Sequence, residues 1–275
     1  MSKNIFITGS SSGIGKATAK YFAEQGWGVA ATMRRPEAEK DLNGMDNIKL
    51  YKLDVTDEAT IERAVRKSID HFGKIDVVLN NAGYGTAGPF EAATQKQIKR
   101  QFDTNLFGLM DVTRAFLPHF REHKDGLYMN VSSIGGLVTF PTFSLYHSTK
   151  WALEGFSESL AYEVAHLGIR VKIIEPGGVK TDFATRSLDY LADEKLGDAY
   201  KPVIDSIMQV FSDPSRADNY STSEQLAEMI YAAATDESDT MRYICGKDAE
   251  GLWTLRQQVG DDGFRAAIRQ QMLGQ

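Results

Sequence analysis

Short apolar runs rich in β-branched residues alternate with longer amphipathic stretches along most of this chain. The runs fall at residues 4–7, 28–32, 48–53, 76–80, 127–131, 170–175 and 242–245. They read as continuous apolar runs more than as in/out alternation, which suggests strands covered on both faces of a parallel sheet. Between them, the stretches 14–25, 57–72, 94–120, 144–167 and 223–235 have helix length and amphipathic composition. Thr94 with Gln97, and Ser221 with Glu224, stand at capping-box spacing where two of those helices should start. Such alternation predicts a doubly wound α/β fold, with right-handed crossovers placing helices on both faces of one sheet.

Two segments break the rhythm. Residues 183–222 form a long insertion between the sixth strand and the next helix, and 251–275 a final tail. Within the insertion Ile204, Ile207, Met208 and Phe211 follow the i, i+3, i+4, i+7 spacing of an amphipathic helix. A connection this long in a compact domain is expected either to cover a binding site as a lid or to pack as a surface helix. With 275 residues and 42% hydrophobic content, the chain is read as a single domain, 1–275, whose core needs no staple. Its one cysteine, Cys245, excludes an intramolecular disulfide and disfavours a cysteine-built metal site. A net charge of −6 argues against a general nucleic-acid binder. No stretch approaches the ~20 apolar residues of a membrane span, and the first apolar run stops at Gly9, so a soluble cytoplasmic protein is expected.

The chemistry-bearing residues gather where a doubly wound sheet binds ligands, at the carboxyl ends of its strands. The first strand leads into Thr8-Gly9-Ser10-Ser11-Ser12-Gly13-Ile14-Gly15 and then a helix. Glycines there allow a tight turn and a close approach of backbone to a pyrophosphate, which the helix N-terminus favours. The second strand ends in Arg34 and Arg35 with no acid. A carboxylate would take the adenosine ribose of NAD; guanidiniums instead suit a 2′-phosphate, so NADP(H) is expected, with Arg34 the main clamp.

Tyr146 and Lys150 lie four apart on a predicted helix, with Cβ atoms about 6 Å apart. Lowering a phenol from ~10 to ~7 costs about 4 kcal/mol. A cation ~4 Å away at an effective dielectric of ~20 supplies about that much. Lys150 is therefore expected to make Tyr146 a general acid or base near neutral pH. Tyr243 and Lys247 have the same spacing but begin in a predicted strand, where four residues span about 13 Å, so they form no such pair. Ser132-Ser133 ends the fifth strand, and Asn80-Asn81-Ala82-Gly83 follows the fourth. Asn105 interrupts the apolar face formed by Ile98, Phe102, Leu109, Val112 and Phe116. A buried amide there must find partners. It either organises a water or a catalytic lysine, or fixes the helix register.

Taken together, these motifs make the chain resemble the short-chain dehydrogenase/reductase family, in its shorter branch. The match is close over about 1–182, from Thr8–Gly15 through Asp54, Asn80–Gly83, Asn105, Ser133 and Tyr146 with Lys150 to Pro176-Gly177 and Thr181. Within the family, the stretch Trp151 to Leu160 is nearer to NADP-preferring carbonyl reductases and hydroxysteroid or retinol dehydrogenases. The resemblance implies a single Rossmann-type domain. Ser133, thirteen residues before Tyr146, would be the catalytic serine, hydrogen-bonding the substrate oxygen. Tyr146 would pass it a proton, Lys150 would hold the nicotinamide ribose, and Asn105 would support a relay water.

The same resemblance places Gly9, Ser11, Ser12, Gly13, Ile14 and Gly15 at the phosphates. It sets Asp54 at the adenine, Asn81 in the ribose region and Thr181 at the carboxamide, and counts Val55, Ala82, Gly83, Pro176, Gly177 and Val179 as cofactor-binding too. His147 points about 100° away from Tyr146 around the helix and is given no catalytic role. Relatives commonly pair through the two long helices, here 94–120 and 144–167, so a homodimer or homotetramer is expected. The activity implied is carbonyl–alcohol interconversion with NADP(H) on a fairly large, largely apolar substrate. The alternative is a cofactor-binding sensor or scaffold without turnover.

Overall fold

The computed structural model describes residues 2–180 and 187–274. In chain order its strands are β1 (Asn4–Ile7), β2 (Gly28–Met33), β3 (Ile48–Lys52), β4 (Val77–Asn80), β5 (Gly85–Ala87), β6 (Gly126–Val131), β7 (Ile169–Pro176), β8 (Val179–Lys180), β9 (Leu188–Tyr190), β10 (Ser221–Thr222) and β11 (Arg242–Cys245). The α-helices are α1 (Gly13–Glu24), α2 (Glu58–Phe72), α3 (Gln95–Phe102), α4 (Gly108–His123), α5 (Ser144–Val164), α6 (Lys201–Ser212), α7 (Ser223–Thr235) and α8 (Lys247–Leu273). Seven strands form one sheet in the order β11-β7-β6-β4-β1-β2-β3, and every pairing in it is parallel. From β1 the chain winds outward through β2 and β3, then returns to β4 on the other side. That reversal opens a crevice at the carboxyl ends of β1 and β4.

Continuous apolarity of the strands follows from burial on both faces. Ile5 and Ile7 of β1 pack with Phe22, Trp27 and Ile230 on one side. Phe6, between them, packs with Ile61, Phe116, Phe120 and Tyr128 on the other. Because successive side chains of a strand alternate faces, both sets must be apolar once helices cover both sides.

Three expectations are corrected. The helical stretch 94–120 is not one α-helix: a π-helical turn, Asp103–Phe107, separates α3 from α4. Thr94 and Gln97 do form the capping box of α3. The second box lies one residue later than expected, on Thr222 and Gln225, with Thr222 the last residue of β10 as well as the cap of α7. The tail 251–275 largely belongs to α8, which bends at Gly260, a residue with φ +70. Its Phe264, Ile268 and Met272 pack with Ile207 of α6. The insertion carries the expected amphipathic helix, with Ile207 buried while Met208 and Phe211 are exposed. Phe183 and Thr181 lie outside the described residues. No described helix is long and apolar enough to cross a membrane.

Candidate active site

The glycine turn is stitched to the end of β4. Thr8 Oγ1 accepts from the main-chain N–H groups of Asn81 and Ala82 at 2.9 and 3.0 Å. The Asn81 amide nitrogen donates to the carbonyls of Thr8 and Gly9 at 2.9 and 3.1 Å. Gly9 turns with φ +73, and a Cβ on Gly15 would overlap both the Asn81 amide and the Gly9 carbonyl oxygen. Only glycine fits there. Ser12 opens α1 without a side-chain cap, and its first turn holds no acid. Its N–H groups and partial positive charge therefore face the crevice beside Ser11, Gly13 and Ile14, a fit for phosphate.

Beyond β2, Arg34 and Arg35 are both exposed, and neither has an ion-pair partner among the described residues. The nearby acid Glu39 is buried and held by Lys16 at 3.0 Å and by the main-chain N–H groups of Asp41 and Leu42. It does not stand in for a ribose-binding carboxylate. At the end of β3, Asp54 Oδ1 accepts from the Thr56 N–H and hydroxyl at 3.0 and 2.8 Å, and Val55 is buried against Gly108 of α4. On the far side the Gly177 N–H donates to the Cys245 carbonyl at 2.9 Å, and Val179 pairs with Ser221. Asp248, unnoticed in the sequence, holds this Pro-Gly-Gly loop by accepting from the Gly178 N–H at 2.6 Å.

Ser133, Tyr146 and Lys150 come together at the carboxyl end of β6. Ser133 Oγ accepts from the Gly135 N–H at 3.0 Å and lies within hydrogen-bond reach of the Tyr146 phenol. Ser132 is turned away into the interior. Lys150 Nζ donates to the Val131 carbonyl at 2.9 Å and stands 5.7 Å from the Tyr146 ring centre. The electrostatics differ from the expected picture. Burial holds the Tyr146 phenol above its usual 10, opposed by the Ser133 hydrogen bond. Burial also brings Lys150 down to about 8, against the pull of Glu154. The phenol is thus kept protonated rather than lowered by the lysine. Tyr243 is structural: its hydroxyl donates to Asp236 and accepts from the buried Lys172.

Asn105 lies in the π-helical turn and is buried. Its Oδ1 accepts from the Tyr84 N–H at 3.0 Å, and its Nδ2 donates to the Tyr84 carbonyl at 2.8 Å and to Thr149 Oγ1 at 3.3 Å. The amide therefore ties the segment after Gly83 to the residue preceding Lys150. Asn105→Ala should cost about 1–3 kcal/mol of stability by orphaning these groups. A thermal melt would register this as a loss of several degrees, and an unchanged melt would show that water replaces the amide.

His147 has a task that its sequence position does not reveal. It is buried, accepts from the Phe140 N–H through Nε2 at 2.9 Å, and has Nδ1 at 2.8 Å from the Gly135 carbonyl. The ring thus pins the loop after Ser133 to α5. With Nδ1 donating, the remaining nitrogen is engaged, and burial holds the imidazole below its usual 6.5 despite the Gly135 bond. The unfolded chain binds a proton near pH 6.5 that the folded ring refuses. Stability should be full above that pH and fall below it, by up to about 1.4 kcal/mol per pH unit. His119, also held low by burial, adds a loss of the same sign. Urea unfolding of His147→Gln should therefore show a shallower acid slope than wild type; an identical slope would exclude the imidazole as a source.

The parallel sheet, with the glycine turn, open helix N-terminus and Ser–Tyr–Lys group at one edge, defines a Rossmann-type α/β protein. A family model described as short chain dehydrogenase matches residues 3–190. An uncharacterised oxidoreductase of Schizosaccharomyces pombe is 41% identical over 241 residues, spanning 87% of this chain and 99% of its own length. A crystal structure of a short-chain dehydrogenase from Streptomyces avermitilis is similar at a TM-score of 0.83 and 33% identity, covering 98% of this chain and 95% of that one. The structure of ElxO with NADP bound follows at a TM-score of 0.73 and 30% identity, covering 89% and 96%. The chain belongs to the short-chain dehydrogenase family and is an oxidoreductase of that family.

Proposed function

We propose that this protein is an NADP(H)-dependent oxidoreductase that interconverts a carbonyl and a secondary alcohol on a fairly large, largely apolar substrate. The observation that carries the proposal is the convergence of Ser133, Tyr146 and Lys150 at the carboxyl end of β6, beside the glycine turn. Arg34 and Arg35, exposed and without an ion-pair partner among the described residues, would hold the adenosine 2′-phosphate, and the α1 N-terminus the pyrophosphate. The hydride for the carbonyl carbon is the chemistry the dinucleotide supplies when bound. Tyr146, kept protonated by burial, gives its proton to the carbonyl oxygen. Ser133 donates a hydrogen bond to that oxygen as charge develops on it. Lys150 would hold the nicotinamide ribose and stabilise the phenolate left behind.

Tyr190, Met208 and Phe211 are exposed on β9 and α6, which supports an apolar substrate under a lid. Exposed Phe107, Trp151 and Tyr162 on and beside α4 and α5 favour pairing of two copies through those helices, checked by size-exclusion chromatography with light scattering. A cytoplasmic location belongs to the same proposal. The test is NADPH oxidation by the purified protein against ketones, aldehydes, quinones and steroid-like carbonyls, with NADH in parallel. Turnover with NADPH supports the assignment, and its rank order sizes the pocket. Tight NADPH binding with no turnover on any member would favour a sensor.

A further inference from the structure

Two carboxyl groups are buried inside the protein, one of them a helical turn beyond Lys150. Glu154 lies four residues further along α5, on the same face one turn away, and is 6% exposed; Glu175, on β7, is 0% exposed. The two are within hydrogen-bond reach of each other. Yet Glu154 Oε1 and both oxygens of Glu175 have no hydrogen-bond donor among the described residues. Arg242 of β11 approaches both, its Nε standing 3.3 Å from Glu154 Oε2 and 3.5 Å from Glu175 Oε1. Its Nη2 is engaged by Glu158 at 2.7 Å.

The pair borders the active site on two sides. A Cβ on Gly136 would stand 2.6 Å from Ser132 Oγ and 2.9 Å from Glu154 Oε1, so the residue preceding Ser133 packs beside Glu154. Glu175 immediately precedes the Pro-Gly-Gly loop.

Two ionised carboxylates in contact, away from water, repel each other and leave their lone pairs without donors. One proton between them removes a charge and supplies the missing donor. We propose that Glu154 and Glu175 hold a single proton between them, with the remaining negative charge on Glu154, and that the pair is a positioning element keeping Lys150 cationic beside Tyr146. Burial and the Glu154 charge push Glu175 up to about 8; burial also raises Glu154, but Ser132, Arg242 and Lys150 oppose it there, and the Glu154 charge in turn opposes the burial that lowers Lys150. The other groups facing the cluster fit this count. Lys150 and Glu158 come from α5, and Arg242 and Cys245 from β11, while the Ser132 hydroxyl, just past β6, acts on Glu154 to favour its ionised form. Cys245 stays a neutral thiol, pushed up to about 12 by burial and by Glu175, with Glu250 of α8 adding to the effect.

The Lys150 part rests on the carbonyl-reductase assignment, so two readouts are needed. Infrared spectra of the wild-type protein should show a protonated carboxyl band at neutral pH that shifts in D2O, and Glu175→Gln should lack it. The alkaline limb of kcat/KM for NADPH-dependent reduction should move down by about one pH unit in Glu154→Gln. At a fixed pH on that limb this is about a tenfold loss. In Glu175→Gln, which keeps a neutral donor beside Glu154, the limb should hold its position. Absence of the band in wild type, or an unmoved limb in Glu154→Gln, would overturn the proposal. A protein with no turnover would sink the activity assignment, and the band would then decide the shared proton.

Discussion

Replacing Tyr146 with phenylalanine is expected to lower kcat for NADPH-dependent carbonyl reduction by about 100- to 10,000-fold, the range a positioned general acid contributes. NADPH binding should remain nearly intact. The substitution removes one oxygen and keeps the ring beside Lys150, whose ammonium retains its 2.9 Å bond to the Val131 carbonyl. Ser133 retains the Gly135 N–H and loses only the phenol. The loss should therefore appear in the proton-transfer step and not in folding or cofactor affinity. Single-turnover NADPH oxidation, paired with fluorescence titration of NADPH, separates these quantities. Unchanged turnover would remove the tyrosine from the mechanism. A large loss of NADPH affinity would instead show that the phenol organises the cofactor site.

The second large effect concerns the choice of cofactor. Arg34→Ala should reduce kcat/KM with NADPH by about 10- to 150-fold, matching the roughly 1.5–3 kcal/mol of a charge-assisted hydrogen bond. The NADH value should change little, and adding Arg35→Ala should deepen only the NADPH loss. Stability should stay within about 0.5 kcal/mol, because both side chains are exposed and without ion-pair partners among the described residues. Met33 is a poorer place to test the same idea, since it is buried in the core and a charge there would confound affinity with folding. If the double variant still prefers NADPH, the end of β2 does not select the cofactor.

Much of this molecule was legible from local pattern alone. Strands covered on both faces must be apolar throughout, so their positions stand out in one dimension, and a glycine turn after the first strand points to the crevice. Tyr146 and Lys150 could be paired because i, i+4 on a helix is a local geometry, whereas Ser133 joined them only through the family resemblance. What the sequence could not decide were quantities set by neighbours distant along the chain. Thr222 rather than Ser221 caps α7, and it does so while ending β10, whose pairing with β8 is a contact invisible to spacing rules. The π turn at Asn105 barely disturbs the apolar stripe, so it shows only once the helix is packed.

The angle of His147 around α5 kept it out of the expected proton chemistry, but its hold on the Ser133 loop required seeing where both nitrogens end. Spacing suggested that Lys150 would lower the Tyr146 phenol; burial sets the opposite direction, and burial is a property of the whole fold. The Glu154–Glu175–Arg242 cluster joins one helix to two strands far apart in sequence, with no periodicity to announce it. Local steric and hydrophobic preferences fixed the elements and the catalytic spacing, whereas desolvation and long-range pairing, which exist only after packing, set the charges that make the site work.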